Sequence, residues 1–180
     1  MRDATPGQTV GPFFHYALPF PGDRELVRRG CVGAVWLHGY VFDGEGNGVP
    51  DALIEIRQAD ARGIVPEVEG SFHRDGAAFT GWGRSSTDPT GHYWFSTVEP
   101  GPAAPDAARF FAVTVFARGL LNRLFTRIYL PGSSDALLSR LQEDERSTLI
   151  AEREVDGSLR LDIRLQGDRE TIFLTYPGHS

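Results

Sequence analysis

A chain of 180 residues, 41% hydrophobic and 23% charged, is most simply one domain with a sizeable core. Its net charge of −6 argues against a nucleic-acid binder, and a lone cysteine, Cys31, excludes an internal disulfide framework and fits a reducing compartment. The opening MRDATPGQTVGPFF has no apolar h-region and no apolar run approaches the roughly 18 residues of a membrane span, so a cytoplasmic location is expected.

Residues 1–33 read as an extended arm. Pro6, Pro12, Pro19 and Pro21 interrupt regular pairing, while Phe13, Phe14, Tyr16 and Phe20 need apolar cover from the domain or from a second subunit. Residues 34–42 and 52–58 are β-rich runs around the turn-forming DGEGNGVPD. That turn superficially resembles a calcium loop, but Ile54 stands at its twelfth position, where a bidentate Glu is required. Asp-Gly and Asn-Gly are turn dipeptides, and a hairpin turn is the better reading. Residues 92–98 form the next run, between DPTG and the PGP at 100–102.

Residues 110–117 are apolar on both parities, which predicts a strand buried on both faces; 124–130 is a further strand, ended by Pro131-Gly132. Ser134 is placed to cap one helical segment near 135–152, with Leu137, Leu138, Leu141, Leu149 and Ile150 as its apolar side. Leu159, Leu161, Ile163 and Leu165 alternate with polar residues as in a strand with one wet face. Together these elements predict an all-β chain: a β-sandwich of mixed strands over residues 34–180, preceded by the partner-contacting arm at 1–33.

Metal-binding chemistry is hard to find. A first-row metal needs imidazole, thiolate, phenolate or carboxylate donors. His15, His38, His73, His92 and His179 are scattered, with no i,i+2 or i,i+4 pair. Tyr93 and Tyr129 read as buried aromatics with one hydrogen bond each. Arg57, Arg84 and Arg127 read as structural charges or interface partners, and Cys31 as an unreactive thiol.

Four segments in order resemble the intradiol ring-cleavage dioxygenases. They are TPGQTVGPFF (5–14), HGYVFDGEGNGVPDALIEIRQADARG (38–63), GRSSTDPTGHYWFSTVEPG (83–101) and FARGLLNRLFTRIYLPG (116–132), followed by LDIRLQGDRETIFLTY (161–176). In the second, Arg57 takes the place of the family's usual tryptophan. Catalytic members hold Fe(III) with two tyrosines and two histidines. The matching positions here are Val65, Ala103, Phe110 and Ala112, which supply no donor atom.

The resemblance therefore implies a non-catalytic alpha-type chain that binds no metal itself. Its partner would be a beta subunit that carries the Fe(III), in alpha–beta pairs of a higher oligomer. It implies O2-dependent cleavage of 3,4-dihydroxybenzoate to 3-carboxy-cis,cis-muconate, with no catalytic residue in this chain alone. Thr9, Gly11, Pro12 and Phe13 of the arm, with Arg118 of Phe-Ala-Arg-Gly, would line the substrate side of the shared pocket. A guanidinium there would attract the substrate carboxylate, Gly11 would permit close backbone approach, and Pro12 would stiffen the arm. A different reading, a stand-alone transthyretin-like β-sandwich binding module without catalysis, leaves the aromatic arm without a use.

Overall fold

In the computed structural model, which describes residues 9, 11, 13–68 and 78–176, period-two alternation builds two facing sheets. The first is formed by β1 (Ala34–Phe42), β4 (His92–Val98), β7 (Glu152–Arg153), β8 (Leu159–Arg160) and β9 (Ile163–Arg164). Its order is β4-β1-β8-β7, with β9 also paired to β1. The second has the order β3-β2-β5-β6, from β2 (Leu53–Arg57), β3 (Trp82–Ser86), β5 (Phe110–Phe116) and β6 (Leu124–Tyr129). β1–β4 and all pairs of the second sheet are antiparallel, whereas β8 and β9 run parallel to β1. The all-β sandwich with mixed strands is as the alternation predicts.

Leu37, Val41, Tyr93, Phe95 and Ile163 from the first sheet meet Ile54, Ile56, Phe111, Val113 and Ile128 from the second in one buried core. Between β8 and β9 the ladder is interrupted, so residues 159–165 are two short strands rather than the single one expected. The Asp162 carboxylate takes the place of a strand carbonyl, accepting the Tyr40 N–H at 3.1 Å. The Leu161 carbonyl accepts the Tyr93 hydroxyl at 2.7 Å. Complete burial pushes the Tyr93 phenol well above its ordinary range. Gly39 lies beneath this junction, where a Cβ would fall 1.8 Å from the Leu161 oxygen.

The 43–51 segment is a braced turn: the Asp43 carboxylate accepts the N–H groups of Glu45 and Asn47, both at 2.9 Å. Strand β3 escaped the sequence reading because Trp-Gly-Arg-Ser-Ser has little strand character. Tertiary pairing creates it: Arg84 donates to Glu55 across the ladder at 2.6 and 2.9 Å, and to the Leu18 carbonyl at 2.7 Å. Arg84 thus ties β2, β3 and the segment after α1 together.

The helical segment near 135–152 is shorter and broken. A single 3-10 turn spans Leu138–Arg140, Leu141 is extended, and a helix follows at Glu143–Ser147. Asp135, rather than Ser134, receives the first free N–H groups, those of Leu137 and Leu138 at 2.9 Å. No apolar side chain lies between Leu141 and Leu149, so nothing anchors a continuous helix across that stretch. Leu138 and Leu149 instead pack with Tyr129 on the outside of the second sheet.

The arm holds one short helix, α1 (Phe14–Ala17), and its Phe14 is buried. Leu26 joins the core and Glu25 bridges Ser96, while Phe13 and Tyr16 remain 72% and 75% exposed. Cys31 is a free, exposed thiol. Among the described residues no helix is long and apolar enough to cross a membrane.

Candidate functional site

Strand β5 is buried on one face only, against expectation. Phe111, Val113 and Val115 enter the core, whereas Phe110, Thr114 and Phe116 are half-buried and Ala112 is exposed. The apolar residues Phe110 and Ala112 on that outer face line a cavity.

Two loops close that cavity. At the end of β2 the Asp60 carboxylate accepts the N–H groups of Ile64 and Arg62, each at 2.9 Å, and the Asp60 carbonyl accepts Gly101 N–H at 2.8 Å. These bonds, that from Ile64 foremost, hold the Asp60 carboxyl below the usual carboxylate range. Gly63 sits at φ +88°, where a Cβ would meet the Pro102 carbonyl oxygen at 2.0 Å, so only glycine lets the two loops approach this closely. The result brings Val65 and Ala103 to the same opening as Phe110 and Ala112, around about 190 Å³ of space.

Arg57 borders this space and Arg127 lies one strand beyond it. The register sets Arg57 opposite Ala112 and Ala112 opposite Arg127, one cross-strand row on the outer face. Arg57 Nη2 donates to the Pro66 carbonyl at 3.1 Å. The Arg127 guanidinium lies 4.2 Å from the centre of the Phe110 ring and donates through Nη1 to the Tyr129 hydroxyl at 2.9 Å. Tyr129 in turn donates to Asp135 at 2.8 Å, giving it two partners where one was expected. Burial pushes the Tyr129 phenol up to about 12.

Ferric iron does not fit this lining, because valine, alanine and phenylalanine carry no donor atom. Among the described residues no three His, Cys, Asp or Glu side chains converge elsewhere. His38 lies in the other sheet, 2.9 Å from Glu154 and 5.6 Å, ring to ring, from His92. Burial holds the His92 imidazole below its ordinary range.

None of the residues expected to face substrate is among the described residues lining this cavity. Thr9 is exposed, Gly11 adopts φ +75° with open space around it, Phe13 is exposed, and Pro12 lies outside the described residues. Arg118 follows β5 at its far end, about 20 Å from Ala112 along an extended strand. Its Nε lies 2.9 Å from the Oδ2 of buried Asp51. No ion pair or hydrogen bond joins Arg118 to the described arm residues. Sequence reasoning missed the Arg57–Ala112–Arg127 row; the arginine standing at a tryptophan position was its only signal.

Residues 29–167 match the family described as Dioxygenase. The chain is 36% identical to the protocatechuate 3,4-dioxygenase alpha chain of Burkholderia cepacia, covering 94% of this chain and 95% of that one. It is 34% identical to the alpha chain of Pseudomonas putida, with 96% of each covered. The chain belongs to the intradiol ring-cleavage dioxygenase family. It is also 32% identical, over 66% of its length, to 55% of the Burkholderia cepacia beta chain of the same enzyme. Among solved structures, the dioxygenase domain of a Streptomyces sp. SirexAA-E fusion protein shares the fold, with TM-score 0.59, 24% identity, 92% of this chain and 99% of that chain covered. Intradiol dioxygenases are generally iron-dependent enzymes.

Proposed function

We propose that this chain is the non-catalytic alpha chain of a protocatechuate 3,4-dioxygenase, working in the cytoplasm with a beta chain that carries the Fe(III). One observation carries the reading: the four positions matching the family's iron ligands converge on one cavity, and none has a donor atom. Similarity to alpha chains over nearly the whole length agrees with it. The iron of the partner would bind both phenolic oxygens of 3,4-dihydroxybenzoate and activate the ring toward O2.

The work left to this chain is positioning. The arm at 1–33 would reach the partner, with exposed Phe13 and Tyr16 as its apolar contacts. Thr9, Gly11, Pro12 and Phe13 would then form one wall of the shared pocket, and Arg118 would stand near the substrate carboxylate. Asp51 engages the Nε of Arg118, which leaves the two terminal nitrogens able to donate to that carboxylate. Asp51 also fixes the direction in which the guanidinium points.

Co-expression of a tagged copy with an intradiol beta chain should give a stable complex with ring-cleaving activity. The chain purified by itself should hold no stoichiometric iron and cleave nothing. Failure to co-purify, or iron near one per isolated chain, would overturn the assignment. Within the active complex, Arg118→Ala should raise KM for 3,4-dihydroxybenzoate about tenfold, the worth of one charge-assisted contact, and leave catechol nearly unchanged. Arg118→Lys should recover part of the loss. Equal effects on both substrates would mean that Arg118 does not face the carboxylate.

A further inference from the structure

We propose that the cavity beside Arg57 is itself a binding site, taking a single-ring aromatic carboxylate without any metal. Size is the first observation. The space is about 190 Å³, and an apolar cavity of about 150 Å³ is enough to seat a benzene ring.

The walls supply the second. Val65, Ala103, Ala108, Phe110 and Ala112 present carbon to the interior, and the Phe110 ring is held in that wall by Arg127 and Tyr129. Gln58 also reaches the wall, but its amide is already used: it donates to the carbonyls of Ala59 and Val98 and accepts from Thr97. Such a lining would reject phosphate or sulfate, which need several donors at once.

Charge is the third. Among the described residues Arg57 is the one charged residue of the lining, and it has no carboxylate partner there. Arg127 stands on the other side of Ala112, and directly opposed residues are about 5 Å apart at Cβ. The smallest side chain of the row therefore separates two guanidinium groups. Asp135 lies 3.5 Å from Arg127, but the Arg127 Nε is buried without a hydrogen-bond partner. A ring seated against Phe110 with its carboxylate at the mouth would meet Arg57 directly and the field of Arg127 behind it.

The test uses 4-fluorobenzoate, titrated by 19F NMR into the protein in the assembly in which it purifies. Wild type should bind one equivalent per copy of this chain that Arg57→Gln weakens about tenfold and that Ala112→Phe abolishes by filling the space. Arg57 is exposed, so its substitution leaves the fold intact. The neutral probe 4-fluorotoluene, which lacks the carboxylate, should compete for that equivalent only about a tenth as well. Identical stoichiometry and affinity in wild type and Arg57→Gln would overturn the proposal, as would equal binding of the neutral probe. Neither iron nor activity enters the measurement, so it can fail while the alpha-chain assignment stands, and the reverse.

Discussion

Gly39→Ala should destabilise the chain by about 4 kcal/mol, at the severe end of overpacking, or leave it unfolded. The added methyl would fall 1.8 Å from the Leu161 carbonyl oxygen and 3.1 Å from the Tyr93 hydroxyl. Those atoms are themselves hydrogen-bonded at the interruption between β8 and β9, so neither can move without losing its partner. Displacing Leu161 would also pull on Asp162, which holds the Tyr40 N–H. Gly46→Ala is the control: its φ is +85° but no atom lies within 4 Å, so about 1 kcal/mol of backbone strain is all it should cost. Urea unfolding of both variants reads the difference. A Gly39→Ala protein as stable as the control would mean that β1 and the Leu161 segment are not packed as described.

The second large effect is a gain. The combined variant V65Y/A103Y/F110H/A112H should pass from no bound metal to about one Fe(III) per chain, with a visible tyrosinate-to-iron charge-transfer band. Phe110 and Ala112 are two apart on one strand, so both new imidazoles would leave the same face. Val65 and Ala103 are brought to that face by the loop contact at Gly63, and phenol side chains from there would enter the opening. Metal–ligand bonds of about 2 Å demand that all four donors share one small volume. Single substitutions should therefore bind no iron. Metal analysis and visible absorption after reconstitution decide it: a quadruple variant that folds but stays colourless would show that the four positions do not share a metal-sized space.

Much of the scaffold was legible because burial follows sequence period in a two-layer sandwich. β1 and β4 were read to the residue, since Leu37, Val41, Tyr93 and Phe95 alternate with wet neighbours. Tertiary partners decided the elements that were misread. Trp82–Ser86 is a strand because Glu55 and Arg84 pair across it. Residues 159–165 split because Leu161 turns its carbonyl toward a tyrosine in another strand. Residues 110–117 read as buried on both faces because apolar residues at a cavity wall cannot be told from core residues by composition.

The site was half legible. Its four donor-free positions followed from motif resemblance alone, and their convergence on one opening needed coordinates. The Arg57–Ala112–Arg127 row is a property of register across three strands, which no single segment encodes.

Under the proposed function, Arg84 would govern how the N-terminal segment is offered to a partner chain. Arg84 grips Glu55 inside the second sheet and the Leu18 carbonyl outside it. The stretch after α1 is thereby fastened to the sandwich before any companion arrives. Phe13 and Tyr16 then project from a mounted platform instead of a loose tether, and docking would forfeit less chain entropy than an unfastened tail would.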